Sequence, residues 1–174
     1  MALGTPERTA AELLAVLRRL KGSHDPGLEV SATQAAELAH RHGAGLLAVV
    51  EHPDADPALL MAGVVPAEPD EPAFHLDGPA IREVTRGVTA TGYPVVIVER
   101  IPVTGPGAQL QVVVTDPDHP RVAVFTLHSP SGRGWLDVAG VAGRFVSGMR
   151  FSDPGTRSAS DPPPGGTSGR SARR

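Results

Sequence analysis

The chain has 174 residues, of which 40% are hydrophobic and 20% charged, and a formal net charge of −3, which fits one domain with a core of ordinary size. It contains no cysteine, which excludes disulfides, thiolate nucleophiles, cysteine-ligated zinc, iron–sulfur clusters and a lipid-modified N-terminal cysteine. No window approaches the ~20 apolar residues of a membrane span, and MALGTPERTAAELL lacks the charged-then-apolar order of a secretory signal, so a cytoplasmic protein is expected.

Thr5-Pro6 starts the first helix, with Thr5 as N-cap and Pro6 at the first helical position, where a missing N–H costs nothing. Ala10, Leu13, Leu14, Leu17 and Leu20 then share one helical face, and Gly22 can end it. After the link SHDPGLEV, the pattern Ser31-Ala-Thr-Gln34 reads as a capping box opening a short helix that runs to His42 and stops at Gly43. Two helices near an N-terminus raise the question of a helix-turn-helix. The nine-residue link is longer than the usual turn, and no third, basic helix follows.

The segment 45–52, GLLAVVEH, is apolar on both parities and is expected to be a strand covered on both faces. The turn HPDADP leads into a return strand at 59–65. PAEPDEPAFHLDGP, with four prolines, reads as an exposed connection. IREVTRGVT (81–89) alternates imperfectly and makes a weaker strand, followed by a turn at Thr91-Gly92 and the strand 94–101.

Beyond the Pro/Gly loop PVTGPG, strands at 108–115 and 121–128 form a hairpin around DPDHP. Leu110, Val112 and Val114 share one face; Val122, Val124, Thr126 and His128 share the other parity. The last helix spans about 135–149, with Trp135, Val138, Ala142, Phe145 and Met149 as one apolar stripe. Five of the six aromatic residues lie between Gly92 and Phe151, so the core is expected there.

After Phe151 there is no Val, Ile, Leu, Met or aromatic residue, hence nothing apolar to offset the entropy of ordering, and 152–174 reads as a disordered tail behind a single domain at 1–151. That tail carries Arg157, Arg170, Arg173 and Arg174 against Asp153 and Asp161. The body is therefore more acidic than the whole chain, which argues against nucleic-acid binding.

The run GYPVVIVERI, Gly/Pro loop, AQLQVVVT, RVAVFTLHSP, then a Trp-initiated helix ending SGMRF resembles the C-terminal half of PsbP/Mog-like proteins, mainly over residues 84–151. Ser147, Arg150 and Phe151 match a Ser-Phe-Arg-Phe-like helix ending in that family, and Gly148-Met149 departs from it. The resemblance implies an α+β fold, a mostly antiparallel sheet of about six strands with helices on both faces, an α/β/α sandwich. It carries no shared active site and implies a binding or accessory protein rather than an enzyme.

Chemistry-bearing residues concentrate in two similar turns, His52-Pro-Asp54-Ala-Asp56-Pro57 and Asp116-Pro-Asp118-His119-Pro120. If the strands simply alternate up and down, both turns and Thr91-Gly92 share one end of the sheet. The turns at 52–57 and 116–120 would then gather oxygen and nitrogen ligands suited to Ca²⁺, Mn²⁺ or Zn²⁺. Turn-forming chemistry alone also accounts for Asp and Pro at such places, and neither turn matches an EF-hand or a His-Glu-x-x-His helix. Ser131-Gly-Arg133-Gly134 could present N–H groups and an arginine to an anion, but lacks the Gly-Lys-Ser/Thr of a phosphate loop, and helix capping by Ser131 accounts for it. There is no Gly-x-Ser-x-Gly elbow; His40 and His42 favour a helix C-terminus, and Glu99 and Arg100 read as a surface pair.

The expected function is a non-enzymatic protein-binding or accessory module with a protein partner. No catalytic, cofactor-binding or metal residue is assigned. The alternatives are a metal-dependent module built on the acidic/His turns and a DNA-binding regulator.

Overall fold

In the computed structural model, which describes residues 3–21, 27–67, 80–101 and 106–152, the six expected strands form one antiparallel sheet. They are β1 (Leu46–Val50), β2 (Ala58–Pro66), β3 (Ile81–Val88), β4 (Pro94–Arg100), β5 (Ala108–Thr115) and β6 (Arg121–Ser129), ordered β1-β2-β6-β5-β4-β3. Helices α1 (Pro6–Lys21) and α2 (Gly27–Arg41) cover part of one face, and α3 (Trp135–Ser147) packs on the other. The α+β architecture with helices on both faces is thus the one expected. The Gly22 helix stop, the connection at 68–79, residues 102–105 of the Pro/Gly loop and the tail from 153 lie outside the described residues.

Strand parity explains the two faces, because directly paired residues point to the same side. Leu60 pairs with Leu127, and Phe125 with Ala62 and Val112. These residues meet Val138, Ala142 and Val146 of α3. On the opposite side Leu47, Leu59 and Met61 meet Leu13 and Leu17 of α1 and Leu28, Ala32 and Ala39 of α2. β1 lies at a sheet edge yet contributes to both clusters, Leu47 to one and Val50 to the other, which is why both of its parities are apolar. Each large side chain so buried stabilises the fold by about 1.5–3 kcal/mol.

The strand order overturns the expected gathering of the turns. β6 sits between β2 and β5, antiparallel to each, so β2 and β3 run in the same direction at opposite flanks of the sheet. In a simple meander they would be opposed. The turn after β1 therefore lies at one end of the sheet, while the β5–β6 turn lies at the other, beside Thr91-Gly92. The candidate ligands His52, Asp54 and Asp56 are separated from Asp116, Asp118 and His119 by the length of the strands.

Four local expectations also change. α2 begins at Gly27, one turn earlier than the capping-box pattern suggests: Leu28 extends its apolar stripe, and the Ser31 hydroxyl donates back to the Gly27 carbonyl at 2.8 Å instead of capping. The imperfect alternation of β3 corresponds to a bulge between Ile81 and Glu83, and its exposed Arg82, Glu83 and Arg86 suit an edge strand. On α3, Val146 takes the deep position, and Phe145 is 53% exposed while still meeting the Phe125 ring edge-on. Glu99 and Arg100, neighbours on one strand, point to opposite faces; Glu99 accepts a 2.7 Å hydrogen bond from the Trp135 indole N–H and lies 3.6 Å from Arg82.

Candidate binding groove

At the sheet end holding the β5–β6 turn, polar groups are spent on one another. Asp116, almost wholly buried, accepts from Arg121 at 2.7 Å, lies 3.2 Å from the His119 ring and accepts the Asp118 N–H at 3.1 Å. Burial pushes its carboxyl up, but the hydrogen bonds from Arg121, Asp118 N–H and His119 together outweigh that and hold it below its ordinary value. The Arg121 guanidinium also lies 5.1 Å over the Phe151 ring, which Tyr93 meets edge-on at 5.1 Å. Thr91 donates to the Met149 carbonyl at 2.9 Å, and the Ala90 N–H donates to the Ser147 hydroxyl at 3.0 Å. Ser147 and Phe151 of the SGMRF stretch thus lock the end of α3 to the sheet.

The other turn is equally occupied. The Ser131 hydroxyl donates to Asp56 at 2.8 Å and accepts the Arg133 N–H; it does not cap α3. The cap position is Gly134, with φ +66. Gly134 seats so closely on the β1–β2 turn that an added Cβ would lie 2.3 Å from the Ala55 Cβ. The Arg133 guanidinium stands 3.7 Å from Asp56, so the residue proposed for an anion is already beside a carboxylate. His40 lies in the last turn of α2, and its Nε2 is 3.3 Å from the hydroxyl of the fully buried Thr9, tying α2 to α1. Among the described residues, no group of three or more His, Asp or Glu is placed to hold a metal ion.

Among the described residues, a groove of about 710 Å³ lies between α2 and the face of β2, β6 and β5. On the helix side it is lined by Ser31, Gln34, Ala35 and Leu38 of α2 and by His42 just beyond the helix end. This side meets the buried side of α2 at Ala35, which is buried together with Leu28, Ala32, Ala36 and Ala39. The floor contains Leu59, Met61, Gly63 and Val124. The far wall is a polar block in which Gln109 sits opposite His128, and Gln111 opposite Thr126. A Cβ on Gly63 would lie 3.2 Å from the Gly43 carbonyl, so the loop leaving α2 presses directly on β2 at this rim.

Among the described residues, those lining the groove include His42 and His128 but no Asp, Glu, Lys or Arg, although a fifth of the chain is charged. A smaller depression of about 320 Å³ between α1 and α2 differs in kind, with Glu7, Glu29 and Glu37 at its margin. Neither concavity was apparent from turn motifs. The available signal was parity: Gln109 and Gln111 alternate with Leu110 and Val112 in β5, and Thr126 and His128 do the same in β6, marking a sheet face without full apolar cover. No known protein family, curated protein or solved structure matches this chain.

Proposed function

We propose that this chain is a non-enzymatic protein-binding or accessory module that receives a protein partner in the groove between α2 and the β2–β6–β5 face. The observation that carries this reading is a groove of about 710 Å³ beside α2 whose lining, among the described residues, is half apolar and holds no Asp, Glu, Lys or Arg. Protein interfaces are depleted of charge at their centres and exclude water around a few apolar anchors. Leu38, Met61 and Val124 supply such anchors, and the glutamines and Thr126 supply hydrogen bonds that fix orientation. The resemblance of residues 84–151 to PsbP/Mog-like proteins points to the same class of accessory function. Among the described residues the groove offers no Lys or Arg to a phosphate backbone, and the turns that a metal-dependent module would combine stand at opposite ends of the sheet.

Site-specific photocrosslinking in cells tests the proposal. A photoreactive residue at Gln111 or Leu38 is expected to yield a discrete crosslinked protein species. The same residue at Leu136, exposed on α3 on the other side of the sheet, is expected not to yield it. Equal crosslinking from both sides, or none from the groove, refutes the reading.

A further inference from the structure

Arg121, the first residue of β6, joins three parts of the chain at once. Its Nε donates to Asp116 at 2.7 Å, its Nη2 donates to the Ser152 carbonyl at 2.9 Å, and its guanidinium carbon lies 5.1 Å from the centre of the Phe151 ring. A guanidinium can spend edge nitrogens in two directions and its flat face on a ring, whereas a lysine ammonium is a single point charge. This hold on the segment after α3 therefore passes through one side chain, and one carboxylate fixes the direction of that side chain.

The carboxylate stands on the inner side of these contacts. The Asp116 side chain is 2% exposed and that of Arg121 22%. Among the described residues, the groups facing the carboxylate are the Arg121 guanidinium, the His119 ring at 3.2 Å and the Asp118 N–H at 3.1 Å. With Asp116 neutral, Arg121 would be a part-buried cation without its counter-ion. It would regain water by turning outward, which withdraws it from Ser152 and Phe151 together. The anchors nearer the helix do not involve Asp116: the Ser147 hydroxyl accepts the Ala90 N–H, and Thr91 donates to the Met149 carbonyl.

We propose that Asp116 and Arg121 form a charge-dependent latch that fastens residues 150–152 to the sheet and releases them, with α3 still packed, when Asp116 loses its negative charge. The Asp116 carboxyl is held below its ordinary value. The latch is therefore fully engaged above the ordinary carboxyl value of about 3.9 and is lost as pH falls through the lower folded value. It lies at the sheet end of the β5–β6 turn and does not depend on the groove being a binding site.

Proton NMR of the full chain tests the latch through two ring pairs. Cross-relaxation between Tyr93 and Phe151, whose ring centres are 5.1 Å apart, reports residues 150–152. Cross-relaxation between Phe125 and Phe145, 6.2 Å apart, reports the packing of α3. Both signals are expected in the native chain at pH 7. Asp116→Asn at pH 7 is expected to lose the first and keep the second. Arg121→Lys is expected to do the same although it keeps the positive charge, because one ammonium cannot serve Asp116, Ser152 and the Phe151 face together. Acid titration of the native chain is expected to remove the Tyr93–Phe151 signal before the Phe125–Phe145 signal. Should Asp116→Asn lose both signals at pH 7, Arg121→Lys and the acid titration decide. Retention of the Tyr93–Phe151 signal in both variants, or its loss in acid only together with the Phe125–Phe145 signal, overturns the latch.

Discussion

Gly134→Ala isolates the joint between α3 and the β1–β2 turn. Gly134 has φ +66, and an added Cβ would stand 2.3 Å from the Ala55 Cβ, 2.5 Å from the Ala55 Cα and 2.8 Å from the Asp54 carbonyl. A left-handed conformation costs a residue with a Cβ about 1–2 kcal/mol, and overpacking against fixed atoms adds about 1–3 kcal/mol. The sum, about 2–5 kcal/mol, is a large share of the 5–15 kcal/mol typical of a domain and corresponds to a fall of about 4–20 °C in Tm. Gly43→Ala is the control, since Gly43 has φ +62 and nothing within 4 Å of an added Cβ, so only the conformational cost of about 1–2 kcal/mol applies. Urea denaturation followed by circular dichroism and by the fluorescence of Trp135 measures both variants. Ala55→Gly in the Gly134→Ala background is expected to recover only part of the loss, because the Ala55 Cα and Asp54 carbonyl remain too close. Equal destabilisation of the two single variants would refute the joint.

Within α3, Val138→Ala is expected to cost about 2–3 kcal/mol, from two methyl groups at about 0.8 kcal/mol each plus the cavity left. Phe145→Ala should cost less than the 3–5 kcal/mol of a fully buried Phe, because half of its surface is already wet; the reverse order in urea melts would contradict the placement of α3. Trp135→Phe keeps most of the packing but removes the indole N–H that Glu99 accepts, for an expected loss of about 1.5–3 kcal/mol, and no change in stability would show that the bond contributes nothing. For Asp116, whose carboxyl is held below its ordinary value, the ionised form is favoured in the folded chain. Its stabilising contribution is fully present above the unfolded carboxyl value of about 3.9 and is lost as pH falls through the lower folded value. The stability gap between the native chain and Asp116→Asn is therefore expected to be widest near neutral pH and to close below about pH 4, and a gap independent of pH would count against the assignment.

Local features were legible because they are written within a few residues. Thr5-Pro6 starts α1, and the Thr5 hydroxyl accepts the Arg8 N–H at 3.4 Å. Gly43 takes positive φ just beyond α2, and the β5–β6 hairpin places Leu110, Val112 and Val114 together as its parity requires. Ser31 misled because a Ser-x-x-Gln pattern is also compatible with a helix interior once Leu28 draws the preceding turn into the core. Phe145 misled because its stripe and that of Val146 differ by one residue, and only the direction in which α3 crosses β6 and β1 decides which is deeper.

The candidate site was the less legible part. Its polar wall needs Gln109 and Gln111 beside Thr126 and His128, which the hairpin implies, but its floor needs β2 beside β6, a pairing of residues about sixty positions apart. The amino-acid sequence alone determined where the strands and helices lie and which parity of each strand is apolar, because side-chain periodicity and backbone preferences act over one or two turns. Tertiary structure alone decided that β6 enters between β2 and β5, which parts the two acidic turns to opposite ends, and that two helices cover only the β1–β2 side of one face. Those outcomes depend on how much apolar surface distant elements can bury against each other, and on that face the cover of α1 and α2 stops short of β6 and β5.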